Sequence, residues 1–351
     1  MECRVRSASA GCRVRSEKIL TGLVLLLAAG SACAPRRVPP LPAATALPCF
    51  AADAPEVVWA WHPDPAERAR LDHWCLGVGA PLVITQPPGP GITTRLLVLS
   101  WNVHVGAGRV EDVMAILRRR AVDDAAGQTG FILLLQEAFR SGGGVPAPMA
   151  PRSAVPGAIR PRRPASDVGV LARTLGLSLA YVPSMRNGAG EREDEREDRG
   201  SAILTTETLR DVRAIELPFG RQRRIAVMAT VVPRGGAPLR VVSGHFDVAR
   251  GTRRQAAYLS SYLAAQAAAG PPIVLGADTN ATFGRRDRAV RALGEVLPLE
   301  PCGEGRTSAW LARVDFMFST LPAGVPRTCE RVDDSHGSDH VPLLLTIDRW
   351  G

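Results

Sequence analysis

Lysine is almost missing from this chain: Lys18 is the sole one among 43 basic residues, and the rest are arginine. So lopsided a set reflects GC-rich coding as much as a demand for guanidinium groups, and the net charge of +9 is discounted accordingly. Residues 1 to 32 carry five basic and two acidic side chains, so the balance without them is +6. That leaves a mild pull toward polyanions and no dedicated nucleic-acid stripe. A membrane-length hydrophobic run is also missing, since the longest, Ile19 to Ala29, falls short of the roughly 20 residues that span a bilayer, which excludes a polytopic membrane protein. No two cysteines stand at the close spacing of a zinc site, and no internal repeat is visible. Aromatic residues make up only 5%. With 46% hydrophobic and 22% charged residues, the chain is nonetheless far from disordered, collagen-like or coiled-coil compositions.

What is present begins with an export pattern. A basic stretch from Arg4 to Lys18 precedes the apolar run, and Gly30-Ser31-Ala32 then meet Cys33. This is the construction of a signal peptide over residues 1–32, and it is set aside from the folded part. Cys33 directly after Ala32 resembles a bacterial lipoprotein cleavage site, where the cysteine is acylated; Gly30 stands where leucine is usual, so plain secretion stays open beside lipidation. Residues 33–55, as in Pro35-Arg-Arg-Val-Pro-Pro-Leu-Pro42, have the composition of an extended tether. Residues 56–93 hold Trp59, Trp61 and Trp74 around a short helical stretch, Pro65 to Trp74, and read as a small extension packed on the main core. Of the cysteines beyond Cys33, an oxidising compartment favours pairing, with Cys49 to Cys75 and Cys302 to Cys329 preferred because each closes a local loop.

From residue 94 onward, apolar runs alternate with helical patterns. Strands are expected at Leu96–Ser100, Phe131–Leu135, Ser201–Thr205, Ile225–Val232, Leu239–Ser243, Pro272–Gly276, Val314–Phe318 and Pro342–Ile347, several of them apolar on both faces. Helical periodicity runs over Arg109–Asp124, Asp167–Leu177, Thr252–Ala268 and Arg285–Leu293. The pattern predicts an α/β fold with two packed sheets and helices outside. Two insertions interrupt it. Arg140 to Ala165 is rich in proline and arginine without an acid, so it reads as a long irregular loop, while Glu191 to Arg199 reads as a solvated turn of mixed charge.

The polar residues gather at strand ends: Trp101-Asn102-Val-His104, Gln136-Glu137, Gly244-His245-Phe-Asp247, Gly276-Ala-Asp278-Thr-Asn280, Val314-Asp315 and Ser338-Asp339-His340. Carboxylates, amides and imidazoles so placed converge on one crevice of a layered fold. Together with Gly200-Ser-Ala-Ile-Leu204, this ordered set resembles the endonuclease/exonuclease/phosphatase superfamily of metal-dependent phosphoesterases, over about residues 94 to 349. The resemblance implies a four-layer α/β/β/α sandwich (DNase I-like) and a phosphoric ester hydrolase domain over residues 94–351.

A phosphodiester is anionic, so its hydrolysis needs a hard cation, a water held in line and an acid for the leaving group. The resemblance implies Glu137 and Asp339 as oxygen ligands of Mg²⁺, with Mn²⁺ or Ca²⁺ as substitutes, and Asn102 as a further ligand or as the residue that orients Glu137. It implies Asp278 as the group that activates water, Asn280 as the holder of the phosphoryl group, His245 and His340 as phosphoryl contacts and proton carriers, and Asp315 as the residue that fixes the His340 tautomer. Arg223 or Arg224 is a candidate phosphate contact. His104 and His336 match no family position and read as supporting or solvated groups; Asp247, two residues after His245, suits a helix cap, and His62 and His73 suit structural roles. The motifs leave the substrate open. Arginines in the Arg140 to Ala165 loop favour nucleic acid, and hence a nuclease of low sequence specificity, over a small or lipid phosphoester or a silent binding module; no protein partner is inferred. The expected location is the cell envelope through a lipid anchor, the outer membrane in a Gram-negative cell, or otherwise the periplasm or the medium.

Overall fold

A computed structural model describes residues 56–61, 64, 67, 70–71, 74–75, 77–122, 128–146, 165–187, 196–248, 250–281, 283–309 and 313–350. The expected signal peptide, Cys33, the tether, Cys49, His62, His73 and most of the Arg140 to Ala165 loop lie outside the described residues.

Alternation along one strand shows how the layers form. In β3 (Thr93–Asn102), Leu96 and Val98 enter one apolar cluster while Leu97, Leu99 and Trp101 enter another, as the period of two requires. The first cluster lies between two sheets and joins Ile132, Leu134 and Ile203 to Val227, Val241, Val274 and Met317. The second packs the β3 sheet against α1 (Val110–Val122) and α2 (Val168–Leu175) through Val113, Met114, Leu117 and Leu171. A third packs the other sheet against α3 (Arg250–Ala267) and α4 (Arg288–Gly294) through Leu259, Leu263, Ala289 and Leu293. Three apolar layers separate four structural ones, giving the α/β/β/α sandwich.

The remaining strands are β1 (Val58–Trp61), β2 (Leu82–Ile84), β4 (Gln128–Ser141), β5 (Ser178–Arg186), β6 (Glu197–Thr205), β7 (Thr208–Glu216), β8 (Ile225–Val232), β9 (Leu239–His245), β10 (Ile273–Asp278), β11 (Asp315–Ser319), β12 (Arg327–Arg331) and β13 (Leu343–Asp348). One sheet runs β1-β7-β8-β9-β10-β11 and the other β12-β13-β3-β4-β6-β5-β2. Residues 56–93 thus add an edge strand to each sheet, and Trp59 is buried in the core between them. Every strand and helix expected from residue 94 onward overlaps an observed one, β4 running on to Ser141, while most of the Pro65 to Trp74 stretch lies outside the described residues. Cys302 and Cys329 are joined as expected, tying the segment before β11 to β12.

Two expectations fail. The charge run is not a solvated turn throughout, because Glu197, Asp198 and Arg199 open β6 and the last two are buried. Asp198 accepts from Arg140 Nε at 3.0 Å, from Tyr181 Oη at 2.8 Å and from Gly79 N at 2.9 Å. The same contacts remove Arg140 from the irregular loop: it ends β4 inside the protein, paired with Asp198, and cannot meet a polyanion.

Candidate active site

Two parallel strand pairs, β3–β4 across α1 and β9–β10 across α3, bring their carboxyl ends to the same side. Asn102 is registered against Gln136, and His245 against Asp278. Antiparallel β11 adds Asp315 opposite Asp278, so His245, Asp278 and Asp315 form one rung across three adjacent strands. Gly276 lets this sheet approach its neighbour: a Cβ there would lie 2.5 Å from Ser100 Cβ. The close approach allows Asn102 Nδ2 to donate across the sheets to Asp278 Oδ2 at 2.8 Å.

Glu137 is aimed by a bulge. The β4–β6 register shifts between Leu135 and Ala138, and Glu137 takes a left-handed φ of 52°. Such an extra residue turns its side chain out of the regular pleat. His104, Val105 and Asn280 share the left-handed conformation, with φ of 47°, 53° and 48°. Backbone strain of this kind in non-glycine residues, about 1–3 kcal/mol each, persists where the surroundings enforce it and clusters at functional sites.

The surroundings push the two histidines of the site in opposite directions. His340 Nδ1 lies 2.8 Å from Asp315 Oδ2, and its Nε2 points toward Asp278 Oδ2 at 4.0 Å and Asp339 Oδ1 at 3.9 Å. Burial opposes its charge, but Asp315 and Asp278 prevail and raise its pKa to about 10. The ring is fixed by its backbone, which accepts from Trp101 Nε1 at 3.0 Å and donates to Ser338 Oγ at 3.0 Å. Burial, then the charges of Arg224 and Arg199, push the His245 pKa well below the usual range, favouring its neutral form. Arg224 Nη1 is 3.0 Å from its Nδ1, which therefore accepts. Its Nε2 stands 3.1 Å from Asn280 Nδ2 and 3.4 Å from Asp278 Oδ2. Asp278 itself is raised to about 6, first by burial and then by Asp315. A carboxylate tuned toward neutrality beside a charged imidazole is the pairing that acid–base work at a phosphoester needs.

The donor set fits a divalent cation. Glu137 and Asp339 offer hard oxygens, the kind Mg²⁺ takes. Burial acts against ionised Asp339, yet the hydrogen bond from His104 and the charge of His340 hold it below the usual carboxylate range. Asp278, Asp315 and His340 also bring donor atoms within 4.8 Å of one another. Within this group only Asp315 bonds His340, while Asp278 Oδ2 stands 4.0 Å from its Nε2, an arrangement that suits proton handling. Among the described residues Asn102 makes no hydrogen bond to Glu137: its Nδ2 donates to Asp278 and its Oδ1 accepts from His104 N at 2.9 Å, which leaves that oxygen a lone pair for a ligand.

The candidate arginines part company. Arg224 faces the site, whereas Arg223 is fully buried and paired with Glu216, its Nη2 donating to Oε2 at 2.8 Å. Arg223 therefore does not contact substrate. Successive residues of an extended segment point opposite ways, which is why only one of the pair reaches the crevice. Asp247 holds the loop that leads to Arg224, accepting from Gln222 N at 3.2 Å and from Arg221 N. His336 stacks edge-on against Trp101, away from the rung. His104 is a member of the site that motif matching passes over: its Nδ1 lies 3.0 Å from Asp339 Oδ1. Its place two residues after Asn102 was the available signal.

Residues 99–340 match the model of the Endonuclease/Exonuclease/phosphatase family. The chain belongs to the endonuclease/exonuclease/phosphatase family. This makes it a phosphoric ester hydrolase of a divalent-metal-dependent family. Among solved structures it is similar to an endonuclease/exonuclease/phosphatase from Beutenbergia cavernae, with 16% identity, a TM-score of 0.52 and coverage of 74% of this chain and 72% of that one. A family protein from Leptotrichia buccalis has the same identity and a TM-score of 0.50, over 72% of this chain and 99% of that one. These two endonuclease/exonuclease/phosphatase structures share its DNase I-like fold. No curated protein matches the chain.

Proposed function

We propose that this family member is an exported, lipid-anchored, Mg²⁺-dependent phosphodiesterase that cleaves nucleic acid with low sequence specificity. The observation that carries the choice of substrate is Phe283, 77% exposed a few residues beyond Asn280 and followed by exposed Arg285, Arg286 and Arg288. An aromatic face stacks any base, and the arginines neutralise backbone phosphates, so the platform binds strands without reading them. A neutral lipid headgroup would leave these charges unused.

Glu137 and Asp339 would hold the cation, with Asn102 Oδ1 at the end of β3 as a further oxygen donor; the bound ion would supply charge that neutralises the phosphoryl oxygens. Asp278 orients a water and takes its proton, held in place by Asn102 Nδ2 and Asn280 N. Asn280 and neutral His245 contact the phosphoryl group. Charged His340 carries the proton for the leaving oxygen, and Asp315 keeps its Nε2 directed inward.

Export and anchoring rest on the signal pattern ending at Cys33, and the Cys302–Cys329 disulfide suits an oxidising compartment. Extraction of the full chain from membranes, beside Cys33→Ala, tests the anchor: wild type partitions with detergent, and a soluble wild type refutes it. The activity is tested by nicking of supercoiled plasmid in Mg²⁺ and in EDTA, beside His245→Ala. Cleavage that requires Mg²⁺ and disappears in the variant supports the nuclease. Absence of cleavage by folded, disulfide-bonded protein moves the reading to small or lipid phosphoesters.

A further inference from the structure

Glu67 stands outside the stretch that matches the family, which begins at residue 99, yet it is only 6% exposed and its carboxylate reaches a loop that leads into the site. It shares a helical stretch with Leu71 and Trp74, at spacings of four and three that put all three on one face. One oxygen, Oε2, accepts from Phe219 N at 3.0 Å, and the other, Oε1, pairs with Arg254 Nη1 of α3 at 2.8 Å. Trp74 meets the Phe219 ring edge-on at 5.7 Å, and the Arg70 guanidinium lies over the same ring at 5.7 Å. Phe219 is thus held at both its amide and its ring by residues of the N-terminal extension.

The loop so held joins β7 to β8 and ends at Arg224. Leu217 N donates to Arg224 O at 3.0 Å and closes its base. Gln255 Nε2 of α3 donates to Pro218 O at 3.0 Å, and Asp247 accepts from Gln222 N at 3.2 Å. Gly220 lies against the same carboxylate, where a Cβ would stand 2.2 Å from Asp247 Oδ2. Bonded at Pro218, Phe219 and Gln222, the loop has little freedom left. Gln222 Oε1 accepts from Arg224 Nη2 at 2.9 Å, which leaves Nη1 directed at His245 Nδ1, 3.0 Å away. A shift at Phe219 is therefore passed through Gln222 to the guanidinium. A buried carboxylate is costly unless it is paired and hydrogen-bonded, and packing of the extension on the core needs no charge at this position. The backbone group that Glu67 satisfies belongs to the loop that aims Arg224.

We propose that Glu67 is a positioning residue of the hydrolytic site, which sets the β7–β8 loop from outside the family domain and, through Gln222, the aim of Arg224 at His245. The extension over residues 56–93 is on this account a part of the working enzyme and more than a cover for the sheet edges. The inference requires the crevice to be the hydrolytic centre, and it is indifferent to whether the ester belongs to nucleic acid.

The test uses the purified protein with its histidine ring nitrogens isotopically labelled. It reads the His245 resonances in wild type, Arg224→Met, Glu67→Met, Glu67→Gln and Glu67→Asp, with a melting curve for each. Glu67→Met keeps the bulk and removes both acceptors, and it is expected to move the His245 resonances in the direction that Arg224→Met does. Glu67→Gln keeps an acceptor for Phe219 N and is expected to stay near wild type. Glu67→Asp keeps the charge on a shorter stem and is expected to move them part of the way. Unmoved resonances in folded Glu67→Met, or an equal displacement in Glu67→Gln, overturn the proposal, since a role confined to stability changes the melting curve alone. Should Glu67→Met not fold, unmoved resonances in Glu67→Asp overturn it instead. Turnover of bis(p-nitrophenyl) phosphate in Mg²⁺ gives a second reading: Arg224→Met and Glu67→Met are each expected to lose about tenfold in kcat/KM, and the double variant no more than Arg224→Met by itself. Losses that multiply overturn it. If His245 responds as stated while no nucleic acid is cut, the positioning role stands and the nuclease reading falls.

Discussion

Asn102 Nδ2 and Asp278 Oδ2, which belong to different sheets, are 2.8 Å apart and join the two sheets at the rung of His245, Asp278 and Asp315. The contact depends on Gly276, because the sheets meet there at Ser100 with no space for a methyl group. Gly276→Ala is therefore expected to force the sheets apart locally, with a loss of about 1–3 kcal/mol in stability. Hydrolytic rate should fall as Asp278 loses its partner. Denaturant unfolding and steady-state kinetics check both, and an unaltered rate in a destabilised variant would separate the sheet contact from catalysis.

Arg223 and Glu216 form a buried pair outside the crevice, next to the ring of Trp59. Burial raises the Glu216 pKa, and Arg223 works against that rise. Arg223→Ala leaves the carboxylate unpaired and is expected to cost about 3–5 kcal/mol. The expected defect is in the unfolding midpoint, with the KM for a phosphodiester kept by whatever fraction stays folded. A raised KM with full stability would restore Arg223 as a substrate contact.

Reduction of Cys302–Cys329 releases a loop of separation 27. By loop entropy, the disulfide contributes about 3.5 kcal/mol. Cys302→Ser with Cys329→Ser should lower the denaturant midpoint by a corresponding amount, while wild type in reducing buffer should match the double variant. Coincident unfolding curves for wild type and the double variant would show that the bond contributes nothing.

Phe283→Ala is expected to raise the KM for single-stranded DNA, since stacking on an aromatic face contributes about 1–3 kcal/mol per base. Fluorescence anisotropy with a labelled oligonucleotide measures the loss directly. Binding equal to wild type would leave the arginines beside it as the whole of the platform.

The site was legible where one residue type at one strand end has one use. His245, Asp278 and Asp315 were each adjacent to a short apolar run, and the pairing register alone placed them side by side. Other parts were hidden by physics that composition does not reveal. β5 carries Pro183 and Arg186, and β7 carries Arg210, Asp211 and Arg213 around a bulge, so neither has a clean alternation. Asp198 and Arg199 belong to a run of charges with the composition of a solvated turn, yet Asp198 is satisfied by Arg140 of β4 and by Tyr181 of the adjoining strand β5. For His104, the deciding feature is a pair of left-handed residues that turns its ring back onto Asp339.

The most direct measurement is hydrolysis of bis(p-nitrophenyl) phosphate, a diester with no base or lipid, by wild type and Asp278→Asn in Mg²⁺ and in EDTA, with melting curves beside it. The account predicts turnover by wild type that EDTA abolishes, and a loss of about 10²-fold or more in a variant that still folds. Undiminished turnover by folded Asp278→Asn would contradict it.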